Sequence, residues 1–337
     1  MNAFSWLFLA ALATATLTRL WLARRQSKHV RAHRDAVPAG FAQTIPLASH
    51  QKAADYTVAK MRLAAVDVLL GAGALLVLTL GGLLQWISSA WARVFEAGGL
   101  WHGTALIAGT VVLLSVLELP VSAYRTFGVE QRFGFNRMSL GLFLADLARS
   151  AALGAALGLP LVVLVLWLMQ RMGEAWWLHV WLAWMGFNLL VLLAYPTLIA
   201  PLFNRFTPLA DPALAERIQR LLERCGFRSN GLYVMDGSRR SAHGNAYFTG
   251  FGAAKRIVFF DTLLSRLAPP EVEAVLAHEL GHYRRHHVWK RIALLSALSL
   301  ALLWVLGRLI EAPWFYAGLN AGAPEAAMGL LLFVLVM

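Results

Sequence analysis

The string His278-Glu279-Leu280-Gly281-His282 holds the residue types and spacing in this sequence best suited to bond-breaking chemistry. Residues four apart on an α-helix lie on one face, about a turn from each other. Two imidazoles so placed can both reach a single Zn²⁺ at about 2.0–2.1 Å. Glu279 projects from nearly the same face, where a carboxylate can take a proton from a metal-bound water. The chemistry this pattern supports is metal-assisted hydrolysis, with His278 and His282 as ligands of one Zn²⁺ per chain and Glu279 as the general base.

A hydrolytic zinc site takes three protein ligands and keeps a position open for water. His286 lies on the same helix face a turn further on, but about 12 Å along the axis from His278, too far for one ion on a straight helix. A longer zinc motif with a glycine bend needs Gly and His where Arg285 and Val288 stand. The third ligand therefore has to come from another element. Glu311 and Glu325 are the acidic residues downstream, and both fall in a segment expected on the far side of the membrane.

The elements that must position this string can be read around it. Pro269-Pro270 suits the first turn of a helix running from Glu271 towards Lys290. Its apolar residues Val272, Val275 and Leu276 can pack while the histidine face stays open. Gly281 costs up to about 1 kcal/mol inside a helix, a cost offset if backbone must approach closely there. Asp211 to Cys225 carries Leu214, Ile218, Leu221 and Leu222 at helical spacing and stops at Gly226. Asn245 to Thr249 and Arg256 to Phe260, rich in aromatic and β-branched residues, flank Gly250-Phe251-Gly252 and predict a hairpin.

The rest of the chain is a membrane protein. Of its 337 residues 59% are hydrophobic and 14% charged, and the mean hydropathy is +0.60, far too apolar for a soluble domain. Runs able to cross a hydrocarbon core of about 30 Å occur near 4–22, 63–88, 104–123, 150–170, 177–200 and 292–310. Sorting Lys and Arg by loop puts 27 of the 30 on one side, which by the positive-inside rule places 201–291 in the cytoplasm and the N-terminus outside. The net charge of +12 is thus accounted for by cytoplasmic loops, and no helix-turn-helix, finger or RNA-binding pattern accompanies it, so nucleic acid is not an expected partner. A single cysteine, Cys225, excludes an intramolecular disulfide framework. Ala326–Met337 is apolar throughout, yet as a helix it reaches only about 18 Å, which reads as part of a seventh span. The expected fold is a mainly α polytopic bundle, six complete spans and part of a seventh, with a cytoplasmic α+β zinc metallopeptidase domain. Its domains are 1–200, 201–291 and 292–337.

The sequence resembles the type I CAAX prenyl proteases, integral-membrane zinc endopeptidases. The matching pieces are Gly134-Phe-Asn-Arg137, Pro201-Leu-Phe-Asn-Arg-Phe-Thr-Pro-Leu209, Asn245-Ala-Tyr-Phe248, Arg256-Ile-Val-Phe-Phe-Asp-Thr-Leu263 and Ala274-Val-Leu-Ala-His-Glu-Leu-Gly-His282. The resemblance implies seven transmembrane helices around an internal chamber closed at one end by the catalytic domain. It implies a third zinc ligand that is a Glu, with a catalytic Asp four residues later, in a motif beyond the seventh helix. No such motif occurs in these 337 residues, so little activity is expected of them alone. Asn245, Ala246 and Phe248 would line the substrate cleft, although Phe248 and Ile257 to Phe260 read equally well as core.

Peptide substrates are aligned economically as an added strand at a sheet edge, so the expected partners are a peptide or protein substrate in extended form and the lipid bilayer. Asp67, Glu118 and Asp146 lie in or beside apolar runs, where they should face polar surroundings or pair locally, as Asp146 with Arg149. Arg284, Arg285, His286 and His287 form a basic cluster suited to lipid headgroups. The Ala, Leu, Arg and Trp bias points to a bacterial inner membrane, and bacteria generally lack prenylated CAAX substrates. A transporter would explain the spans but not the histidine helix; an incomplete, catalytically inactive scaffold would explain both.

Overall fold

The computed structural model describes residues 1–227, 229–249 and 255–337. Its helices are α1 (Ala3–Ala32), α2 (Leu47–Leu78), α3 (Leu83–Trp91), α4 (Leu100–Tyr124), α5 (Leu140–Arg171), α6 (Trp176–Ala194), α7 (Ala200–Phe203), α8 (Pro212–Arg224), α9 (Asp261–Leu264), α10 (Pro269–Arg284), α11 (His287–Leu309), α12 (Pro313–Gly318) and α13 (Ala326–Val336). The strands are β1 (Phe206–Pro208), β2 (Leu232–Met235), β3 (Ala246–Thr249) and β4 (Arg256–Phe260). Among the described residues six helical stretches are long and apolar enough to cross a membrane, and Ala326–Val336 is a shorter apolar helix. The protein is an integral-membrane helical bundle carrying a small sheet.

The second span departs from expectation. The apolar run continues through residue 88, but α2 ends at Leu78 and a separate α3 starts at Leu83. Gly81 and Gly82 make the break. A Cβ on Gly81 would lie 2.7 Å from the Val77 carbonyl oxygen, and Gly82 has φ +74°, a conformation glycine adopts without steric cost. Hydropathy records the apolar character of the run and not this turn. At its other end α2 extends sixteen residues before the apolar run, from Leu47.

The chain divides into two compact units. The first comprises Met1–Phe133, Gly158–Trp177 and Trp304–Met337. In it α1 packs along α2, α3 and α13 pack on α4, and α12 meets α1. The Ser5 hydroxyl donates to the Gly318 carbonyl at 2.7 Å, and Phe315 and Tyr316 are fully buried. Asp67 is paired with Arg125 at 2.8 Å.

The second unit comprises Gly134–Leu157 and Leu178–Leu303. Its sheet has the order β1-β2-β4-β3, with β2 parallel to β4 and the other neighbours antiparallel. The expected pairing of 245–249 with 256–260 is present, in register Ala246 with Phe259 and Phe248 with Ile257. Gly250-Phe251-Gly252 lies outside the described residues. The amphipathic α8 lays Leu214, Ile218, Leu221 and Leu222 against Ile257, Phe259, Val272, Leu276 and Leu280, forming the core. Burying such side chains stabilises by about 1.5–3 kcal/mol each. Asp211 caps α8 by accepting the Leu214 N–H at 3.0 Å, and Gly226 follows its end with φ +64°.

Candidate metal centre

The helix that carries the motif is held at both ends. Pro269 and Pro270 open α10, and the Glu271 carboxylate accepts the N–H of Ala268 at 2.7 Å, satisfying a backbone donor that a helix start leaves free. Val272, Leu276 and Leu280, four residues apart, are buried in the core. That fixes the rotation of α10 and leaves His278, Gly281 and His282 on the exposed face, with Glu279 half-buried at its margin. Near the far end Lys255 bonds the Tyr283 hydroxyl and lies over the Tyr283 ring. The Glu273 carboxylate bonds Arg217 and Arg224 of α8; the hydrogen bond from Arg217, with both guanidinium charges, holds it below the ordinary carboxylate range.

The two Nε2 atoms of His278 and His282 face each other 3.3 Å apart. Two donors at about 2.0–2.1 Å from one tetrahedral ion stand about 3.3–3.4 Å apart, and the separation of this pair matches one edge of such a site. Among the described residues no cation is paired with Glu279, and no cluster of three or more His, Cys, Asp or Glu is placed to hold a metal ion. The pair supplies two donors. Glu325 is bonded to His102 at 3.1 Å within the first unit.

Sequence reasoning missed His287. The helix expected to run to Lys290 breaks at His286, which has φ +54°, and α11 starts at the next residue. On a continuous helix a residue five places from His282 would point about 140° away from it. The left-handed turn instead brings the His287 Nδ1 to 2.8 Å from the His282 Nδ1, on the nitrogen that faces away from His278. His286, the histidine that spacing singles out, is not the one that returns to the pair. Only the poor fit of a non-glycine residue to φ > 0 hides this break from a reader of the sequence.

Asn245 is exposed just before β3, where its carbonyl accepts the Phe260 N–H and its side chain the Ala246 N–H, each at 2.9 Å. Ala246 is buried, and Phe248 packs into the core with its ring 5.1 Å from Phe227. What β3 offers outward is its backbone, since it is the sheet's edge strand and packs beside α10. Burial pushes the Tyr247 phenol up to about 12, with the neighbouring Tyr195 adding to the shift, so it stays neutral across physiological pH.

The loop leading into β3 is pinned by two of the sequence motifs. Arg240 forks onto Asp146 at 2.7 and 3.0 Å and donates to the Asn204 side chain at 3.0 Å. The Ala242 N–H donates to Phe135 at 2.9 Å, the Arg137 N–H to Arg240 at 3.1 Å, and the Phe135 and His243 rings stack at 4.3 Å. Asp146 does pair with Arg149, at 3.0 Å, but Arg240 is its bidentate partner, the stronger geometry.

The chain is similar to known proteins along most of its length. Residues 26–205 match the family described as CAAX prenyl protease N-terminal, five membrane helices, and residues 208–336 match peptidase family M48. The Arabidopsis thaliana CAAX prenyl protease 1 homolog is 38% identical over 213 residues, 61% of this chain and 50% of that protein. The probable CAAX prenyl protease 1 of Schizosaccharomyces pombe is 31% identical over 327 residues, 93% of this chain and 69% of that protein. The crystal structure of S. mikatae Ste24p superposes with a TM-score of 0.90 at 24% identity, over 100% of this chain and 81% of that one. The chain spans about half the length of the first curated relatives it matches, 50% and 54% for those of Arabidopsis and Dictyostelium. By these matches along nearly its whole length, the chain belongs to peptidase family M48, with the N-terminal membrane region of the CAAX prenyl proteases.

Proposed function

We propose that this protein is a membrane-embedded, zinc-dependent endopeptidase of the CAAX prenyl protease kind, cutting peptide or membrane-protein substrates on the cytoplasmic side of a bacterial inner membrane. The observation that carries the reading is the 3.3 Å separation of the His278 and His282 Nε2 atoms on the open face of α10, with Glu279 beside them. One Zn²⁺ per chain would be held by these two nitrogens and a carboxylate from another element. When bound, zinc supplies Lewis acidity that acidifies a water and polarises the scissile carbonyl.

The chain's own residues do the rest. Glu279 takes the proton of the attacking water and returns it to the leaving nitrogen. His282 keeps its Nε2 lone pair for the metal in the tautomer whose Nδ1–H donates to His287 Nδ1, the orienting role that outer-shell partners play at such sites. The exposed edge of β3 aligns the substrate as a further strand, with Asn245, Ala246 and Phe248 bordering the cleft and Ala246 and Phe248 contributing through their backbone.

The test is cleavage of peptides by the whole gene product beside Glu279→Gln. The expected loss in kcat/KM is about 10²–10⁴-fold, with zinc content and folding unchanged. Cleavage that survives the substitution would remove Glu279 from the chemistry. Inactivity of the zinc-loaded wild type towards every peptide and membrane-protein substrate offered would favour the scaffold reading.

A further inference from the structure

The cytoplasmic ends of α1 and α2 enclose a groove of about 450 Å³ whose polar lining is almost wholly cationic. Arg24, Lys28 and Arg31 follow one another at four- and three-residue intervals along α1, so they share one face. Arg62 enters from α2. No acidic residue lines the groove, and among the described residues none of these four side chains has an ion-pair partner.

Two flanking arginines behave differently. Beyond the groove Arg34 forks onto Asp55 at 2.9 and 3.0 Å, and further along α2 Arg125 meets Asp67 at 2.8 Å. The cations that converge on the groove lack the carboxylate partner that these two flanking arginines have. Four like charges at close quarters repel one another, so an anion from outside the chain would relieve the cluster.

The position of the groove selects the anion. Arg24 follows the first apolar run by one residue, and Arg62 immediately precedes the second, so both stand where hydrocarbon gives way to headgroups. Trp21, stacked under Arg25 at 5.4 Å, marks the same interface. The remaining walls are apolar at Leu20, Ala23, Met61 and Ala65, and of these Leu20 and Ala65 lie on the hydrocarbon side of Arg24 and Arg62. A free phosphate would use only the upper half of such a groove. A phosphodiester with an acyl chain fills both, and basic pockets between transmembrane helices on the cytoplasmic side have this chemistry.

We infer that the α1–α2 groove is a binding site for one anionic glycerophospholipid, its phosphodiester held by Arg24, Lys28, Arg31 and Arg62 and an acyl chain laid against Leu20 and Ala65. The site is separate from the histidine pair, and its test does not depend on proteolysis.

The experiment is native mass spectrometry of the chain taken from nanodiscs of phosphatidylcholine containing phosphatidylglycerol. The comparison is among wild type, the quadruple variant R24Q/K28Q/R31Q/R62Q and R25Q/K60Q, which removes charge from the same belt outside the groove. Wild type and the belt variant should each keep one phosphatidylglycerol through detergent washing, and the quadruple variant should hold it at least tenfold more weakly. Added inorganic phosphate at millimolar concentration should leave wild-type retention unchanged. Equal retention in the quadruple variant, equal loss in the belt variant, or displacement by phosphate alone would overturn the inference. Should the quadruple variant fail to fold, wild type decides: saturable, one-to-one selection of phosphatidylglycerol over phosphatidylcholine upholds the site, and uptake proportional to lipid composition refutes it.

Discussion

His102 and the His278/His282 pair are surrounded in opposite ways. In the first unit His102 is 1% exposed, with its Nε2 2.9 Å from the Ser88 carbonyl oxygen and its Nδ1 3.1 Å from the Glu325 carboxylate. Both ring nitrogens have protein partners, as buried polar atoms generally do. In the second unit the two Nε2 atoms of His278 and His282 point at one another from an exposed helix face. Two imidazole nitrogens so turned either share a single proton or, with both deprotonated, present two lone pairs that one cation would satisfy together. A buried histidine bonded through both nitrogens belongs to the fold, and an exposed pair at this spacing suits the metal-holding role proposed above.

The contrast can be broken in order of size. His102→Ala should destabilise the first unit by about 2–4 kcal/mol, since it empties a buried site and strands the Glu325 carboxylate; chemical denaturation in detergent measures this, and a loss below about 0.5 kcal/mol would end the structural assignment. Next, His287→Ala should weaken zinc affinity about 10–100-fold, read by competition with a chromophoric chelator, while His287→Gln, which keeps an acceptor, recovers part of it. Unchanged affinity in the Ala variant would make the 2.8 Å contact to His282 incidental. Gly281→Ala should stabilise α10 by up to about 1 kcal/mol, because a Cβ there meets open space. If substrate passes over that space, the same variant raises KM.

The smallest effect is on acid stability. Arg217 and Arg224 depress the Glu273 carboxyl below its unfolded value, so its stabilising contribution is complete above the ordinary carboxylate range and is lost as pH falls through the depressed value. Glu273→Gln should therefore cost stability at neutral pH and almost none once the wild-type carboxyl is protonated. A deficit in the variant that persists undiminished at the acid end would contradict the pairing.

Legibility in the sequence followed the strength of local signals. α8 was readable from its apolar spacing, its Asp211 cap and Gly226, and the start of α10 from two prolines, because each signal acts within a turn or two. β3 and β4 were readable from composition. The two-glycine break after Leu78 was hidden inside an unbroken apolar run, since hydropathy is blind to backbone direction. β2 was missed because Leu232-Tyr-Val-Met235 is too short to show alternation, and β1 because Phe206–Pro208 becomes a strand only by pairing with β2. The pair His278/His282 was legible because it sits within one helix. Its link to His287 was not, because a single left-handed residue undoes the helical register, and nothing in the composition of Arg284-Arg285-His286-His287 distinguishes that from a headgroup anchor.

The most direct test of the central claim is zinc K-edge absorption spectroscopy on the metal-loaded whole gene product and its His278→Ala/His282→Ala variant. The wild type should show one zinc per chain with two imidazole nitrogens at about 2.0–2.1 Å, and the variant should lose the metal while keeping the helical content and thermal stability of the metal-free protein. Zinc retained at full stoichiometry with the same imidazole signal in the double variant would show that the metal, and any hydrolysis that depends on it, resides elsewhere.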